Sequence, residues 1–125
     1  MWKKLFITIA SALLFSCGNP PERNCKNFKT GTFSFTTIID GEEKTTTFSR
    51  TVDTEIDYFE GHRDTSSVRW INDCEYILKN KSPKNKAEEK SIHIKILTTS
   101  DSSYTFEYNA IGDKRKFKGT AFKTH

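Results

Sequence analysis

Ile92-His93-Ile94-Lys95-Ile96, a Ser100-Asp101-Ser102 break, and then Tyr104-Thr105-Phe106-Glu107-Tyr108 form an apolar/polar alternation of period two on both sides of a turn. In a strand, successive side chains point to opposite faces, so this is the pattern of a half-buried β-hairpin. Toward the C-terminus, Ile111-Gly112-Asp113 turns again and Phe117, Gly119 and Ala121 line a last strand. Toward the N-terminus lies the long polar interval Lys79–Lys90, read as a solvated loop with room for one helical turn at Ala87-Glu88-Glu89. Before it, Cys74, Tyr76 and Leu78 alternate, and so do Val68 and Trp70 across the Asn72-Asp73 interruption. Gly61-His62-Arg63-Asp64 reads as a polar turn. Thr54–Glu60 puts Ile56 and Tyr58 on one face and Glu55, Asp57 and Phe59 on the other. Lys44–Val52 places Phe48, Arg50 and Val52 together, and Asp40-Gly41 is a good hairpin turn. In the first segment Phe33, Phe35, Thr37 and Ile39 share a face; Phe28 is out of parity, and a bulge or bend at Gly31 would reconcile them.

Eight such segments with short connections, and no amphipathic helix long enough to cover a sheet, predict an all-β fold. Sequential hairpins imply an antiparallel up-and-down meander. Closing it, or nearly so, removes the exposed edges, which predicts a small lipocalin-like barrel or curled roll. Composition agrees: 10 Phe, 4 Tyr and many Thr suit a pleated surface.

The chain starts with a short basic stretch (Lys3, Lys4) and an apolar run from Leu5 to Phe15, the pattern of a secretory leader. Its end, Leu14-Phe15-Ser16-Cys17, resembles the bacterial lipoprotein signal, the lipobox. The resemblance implies cleavage before Cys17 and acylation of that cysteine by a diacylglyceryl group and often a third, palmitate-type chain. Two or more chains anchor firmly where one is marginal. The apolar run is shorter than the ~20 residues that span a bilayer core. The expected organisation is a signal peptide at 1–16, a lipidated Cys17 with a flexible tether to residue 24, and one β domain at 25–125. The expected location is the cell envelope, on the outer membrane in preference to the inner, with the domain outside the cytoplasm. The precursor's +4 charge drops to +2 when Lys3 and Lys4 leave with the leader. That balance points to neither nucleic acid nor a strongly acidic partner.

Of three cysteines, Cys25 and Cys74 remain once Cys17 is lipidated. In an oxidising compartment such a pair in a small domain forms a disulfide. Two buried free thiols or half of a metal site are the other readings. In the meander the starts of strands one and five lie at the same end, so a bridge there is sensible.

Cys25-Lys-Asn-Phe-Lys-Thr-Gly-Thr-Phe33, Phe48-Ser-Arg50, Glu55-Ile-Asp-Tyr-Phe59, Val68-Arg-Trp-Ile-Asn-Asp-Cys-Glu-Tyr-Ile-Leu78 and Lys118-Gly-Thr-Ala121 together resemble a group of small flavobacterial lipoproteins. The resemblance covers nearly the whole mature chain and implies an envelope lipoprotein, without implying an activity. Members of the group often carry the label DNA topoisomerase IV. A type II topoisomerase needs a tyrosine nucleophile in a large DNA-gate domain, acidic metal ligands and an ATPase, for which an exported chain of this size has no room.

Arg50, in parity with Phe48, is the leading candidate to point inward. Unpaired in a pocket it would anchor a carboxylate or phosphate; otherwise it pairs with Glu55 or Asp57 or snorkels at the rim. Trp70 and Tyr76 are core aromatics or, as pocket lining, a flat wall with polar tips. Glu55 and Asp57 share a face, usually an exposed strand face; as an acid/base pair they would need a cleft. His62, His93 and His125 have no common spacing, and a His62/Asp64 metal site is remote. The basic runs Lys79–Lys90 and Lys114-Arg115-Lys116 keep the surface soluble. The expectation is a non-enzymatic protein without metal or cofactor. It is either a calyx for a small apolar or amphipathic ligand, walled by Arg50, Trp70 and Tyr76, or a filled interaction module of an envelope complex, with Phe59 and Phe122 as exposed aromatic candidates.

Overall fold

Gly41 and Gly61 both have a φ of 78°, and each follows a residue that has also crossed to positive φ, Asp40 at 52° and Glu60 at 46°. Two successive positive φ values make the type I′ turn, whose twist matches that of the strands it joins. These turns join β1 (Gly31–Ile39) to β2 (Glu42–Arg50) and β3 (Thr54–Phe59) to β4 (His62–Asn72). The second turn is tighter than the expected Gly61–Asp64, because Glu60 takes the first left-handed position and the strand resumes at His62.

The computed structural model describes residues 22–125; the leader, Cys17 and the tether up to residue 21 lie outside the described residues. After β4 come β5 (Glu75–Asn80), a single helical turn α1 (Lys86–Glu89), β6 (Ile92–Thr99), β7 (Ser103–Ala110) and β8 (Phe117–Lys123). The eight strands follow one another in sequence order, all antiparallel, and β8 returns to β1 to close the barrel. The expected all-β meander is therefore a closed barrel. The closing seam is short: among the described residues Phe33↔Lys123 and Ser34↔Phe122 are the pairs across it, continued below by Thr32 N–H donating to the His125 carbonyl (3.0 Å). The one-turn α1 is capped by Asn85, whose side chain accepts from Glu88 N–H at 2.9 Å.

One end of the barrel is a floor. Cys25–Phe28 forms a 3-10 turn, not a strand, which is why Phe28 falls out of the alternation. The turn tucks Phe28 under the barrel against Phe33 and Tyr104, with ring centroids 6.5 and 5.3 Å away. Cys25 is bonded to Cys74, at the mouth of the β4–β5 connection, with Cα atoms 5.3 Å apart. The chain enters at this same end, where Arg23 donates to the Ile96 carbonyl and Asn24 N–H to Thr99 Oγ1. Above the floor Phe33, Phe48, Ile96, Tyr104 and Ala121 are buried. Ring stacking of Phe33 on Phe48 (5.1 Å) crosses the β1–β2 pair.

β3 departs from the expected parity. Its inward residues are Glu55, only 3% exposed, and Asp57, while Tyr58 on the other face is 45% exposed. The cause is register. The three-residue link Thr51–Asp53 is held by Thr51 N–H to the Thr54 carbonyl (2.8 Å), and it sets Glu55 directly opposite the inward-facing Arg50. A slip of one residue would reverse both faces. Val52, expected beside Phe48 and Arg50, lies in this link and is exposed.

Candidate functional site

Arg50 is 2% exposed, and a guanidinium so placed must be satisfied by the protein. It is: Nε donates to Glu55 Oε1 at 3.1 Å, Nη1 to the Phe28 carbonyl at 3.1 Å and Nη2 to Tyr104 Oη at 2.7 Å. Its plane lies among aromatic rings, 4.6 Å from the Tyr76 centroid and 4.8 Å from that of Phe33. Burial works against its charge, but Tyr76, Tyr104 and Glu55 around it more than compensate and hold its pKa above the ordinary value. Burial likewise pushes the Tyr76 and Tyr104 hydroxyls up, with the nearby Arg50 charge pulling the other way. Arg50 thus points inward, and of the alternatives left open by the sequence it takes the pairing with Glu55, tying the floor to the wall. It is not a free anchor for an anionic ligand.

Above this layer the barrel is not filled. A cavity of about 240 Å³ lies between the floor and the open end. Phe35, Phe48 and Phe106 supply aromatic wall on one side, and Leu78, Ile92 and Ile94 aliphatic wall on the other. Thr46, Tyr76, Tyr104 and Tyr108 complete the lining, and Glu55 and Asp57 are its acidic members. Among the described residues no Lys, Arg or His lines it. On β8, Gly119 stands opposite Phe106, and a Cβ there would come within 2.9 Å of the tip of the Phe106 ring, so the glycine makes room for this wall residue.

Asp57 is the chemically unusual member. Burial, then the charge of Glu55 and a hydrogen bond shared with it, raise its pKa to about 8, with Arg50 opposing and Asp64 on β4 adding to the shift. Asp57 and Asp64 face each other across the β3–β4 pair. Both also border a neighbouring concavity at the open end, with Ala87, Glu88 and Lys90 of the α1 region on its far side. One carboxylate, Glu55, is committed to Arg50. The next one outward holds its proton near neutrality.

Of the expected wall residues, Tyr76 lines the cavity. Trp70 sits at the floor end, tilted against Tyr76 at 4.5 Å and with Lys29 Nζ 5.0 Å over its ring. Its indole N–H is buried without a hydrogen-bond partner among the described residues. The exposed-face reading of Glu55 and Asp57 is overturned by the β3 register, and both belong to the interior. Phe122 is 54% exposed on β8, whereas Phe59 is half-buried. The His62/Asp64 pair is not joined by a third ligand: no group of three or more His, Cys, Asp or Glu is arranged to hold a metal among the described residues. Sequence reasoning weighed Asp57 with Glu55 but assigned the pair to an exposed face, and it missed the apolar wall of Leu78, Ile92 and Phe106 as a site. The available signal was Arg50, whose need for a buried partner across a short link turns β3 over.

Comparison with known proteins finds no matching family model, no matching curated protein and no matching solved structure.

Proposed function

We propose that this chain is an envelope lipoprotein whose domain is a calyx: a non-enzymatic binding module that holds a small ligand in the barrel at the end away from its anchor. The carrying observation is the apolar cavity of about 240 Å³, set above a floor closed by Phe28, the Arg50 cluster and the disulfide. Apolar concavities with a few convergent polar groups are the usual small-molecule sites. At ~30 Å³ of liquid volume per water, the space corresponds to about eight waters and suits a ligand of roughly ten heavy atoms. The lipobox resemblance at Cys17 and the resemblance to small flavobacterial lipoproteins support the anchor. Because the chain enters at the floor, a tether from Cys17 would attach at the end of the barrel opposite its opening.

Native mass spectrometry of protein purified from its own membrane tests this reading. A lipid mass on Cys17 and a retained small companion are expected. An unmodified Cys17 in cytosolic protein sinks the anchor. The second reading, an interaction module, draws on Phe122 and on Ile38, exposed on the two strands flanking the seam. A stoichiometric protein companion with no small molecule would favour it.

A further inference from the structure

We propose that the cavity selects a cationic amphipath, an apolar body of about ten heavy atoms carrying a primary ammonium group, with Asp57 as its counter-ion. This rests on the calyx reading above. The wall is apolar and aromatic, which suits the body; its ionisable groups are two acids and three tyrosines, with no base among the described residues. The nearest cation, Arg50, gives three of its five N–H donors to Glu55, the Phe28 carbonyl and Tyr104, is fully buried below, and does not line the cavity, so it is not placed to receive a ligand anion. Glu55 is spent on Arg50. Asp57, one position further out on the same face of β3, has no ion-pair partner among the described residues.

The groups facing Asp57 sharpen the choice. Glu55 lies on its own strand, Asp64 opposite on β4, Arg50 below on β2, and Tyr76, Tyr104 and Tyr108 across the cavity; Glu88 and Lys90 stand together at the rim. A carboxylate or phosphate entering here meets three acids. An ammonium meets Asp57 and, behind it, Asp64, neither of which has an ion-pair partner among the described residues, and of the two Asp57 is the one that lines the cavity. A desolvated carboxyl keeps its proton until a cation replaces it. Binding of the ammonium form therefore releases one proton from Asp57 to solvent, and affinity rises as pH approaches about 8 from below.

Three probes with similar apolar bodies separate the possibilities: 2-phenylethylamine, 2-phenylethanol and 3-phenylpropionate, titrated calorimetrically into the full-length protein in nanodiscs at pH 6 and pH 8. The amine is expected to bind tightest at pH 8, with an affinity at least tenfold higher than at pH 6. The alcohol binds more weakly and without pH dependence, and the carboxylate binds least. Asp57→Asn should bring the amine down to the alcohol's affinity and remove its pH dependence while leaving the alcohol unchanged. If the alcohol binds as well as the amine at both pH values, or the carboxylate binds best, or the amine's preference survives Asp57→Asn, the counter-ion role is overturned while the calyx stands. If none of the three binds, the calyx reading fails and takes this one with it.

Discussion

Asp57 carries a stability consequence independent of any ligand. Its pKa is raised from the model-compound value of 3.8 to about 8, first by burial and then by Glu55. The folded chain therefore holds this proton where the unfolded chain has released it. Below pH 4 both states are protonated and the group is neutral to folding. As pH rises from about 4 to about 8 the unfolded state gains, so stability falls, and above that it levels off. Asp57→Asn cannot ionise and should be more stable than the parent at pH 8, by on the order of 1–3 kcal/mol, with the gap closing toward pH 4. Urea denaturation at pH 4, 6 and 8 measures it; a gap that widens toward acid would show that Asp57 is ionised and favourably placed. The Arg50–Glu55 pair behaves in the opposite sense. Glu55→Leu leaves a buried guanidinium without its carboxylate and should cost about 3–5 kcal/mol. Adding Arg50→Met to that variant should recover part of the loss. Full recovery is not expected, because the Phe28 carbonyl and Tyr104 hydroxyl then lose their donor. A double variant less stable than Glu55→Leu would mean that the hydrogen bonds, not the ion pair, dominate.

At the scale of elements, the strands were legible wherever apolar residues alternate, as in Ile92–Ile96 and Tyr104–Tyr108, because one face is packed and the other is wet. β3 was legible as a strand and misread as to its faces. Hydropathy assigns Ile56 and Tyr58 inward, but two of the residues that turn inward are acids, one paired with Arg50 and one protonated near neutrality. Periodicity cannot see a buried charge whose partner sits on the neighbouring strand. The cavity was illegible for a different reason. Its wall is assembled from side chains on several strands and depends on relations between them, such as the room that Gly119 leaves for the Phe106 ring. The 3-10 turn at Cys25–Phe28 has no period to display, yet the disulfide pairing at its start was readable from topology. That bridge closes a loop of 49 residues, for which chain entropy gives roughly 4 kcal/mol. Cys25→Ser with Cys74→Ser should therefore lower unfolding stability by about that amount and loosen Phe28 from Tyr104. Denaturation with and without reductant checks it: the parent should fall to the variant's stability on reduction, and a parent indifferent to reductant would mean the floor holds by packing alone.

For the molecule as a whole, closure is uneven, and the unevenness runs along the barrel axis. At the floor the seam is stitched by Phe33↔Lys123 and Ser34↔Phe122, by Thr32 N–H to the His125 carbonyl and by Thr124 N–H to the Thr32 carbonyl. Toward the open end the β1–β8 ladder stops, although both strands continue and stay paired to β2 and β7. Successive amides of a strand point to opposite neighbours. Thr32 and Thr124 direct theirs across the seam, so Thr36 and Ile38 on β1, and Lys118 and Thr120 on β8, do the same with no ladder partner there. The amides between them, at Thr37 and Gly119, point inward along the sheet to β2 and β7. Hydrogen exchange followed by NMR should therefore alternate in the upper halves of these two strands: fast at Thr36, Ile38, Lys118 and Thr120, slow at Thr37 and Gly119. Protection should be uniformly high at the floor end, from Thr32 to Ser34. Local opening draws on segments with few partnered amides, so the seam beside the cavity is where this barrel parts most cheaply. Equal protection of all six amides would mean that the seam is laddered to the top and that the barrel opens only at its rim.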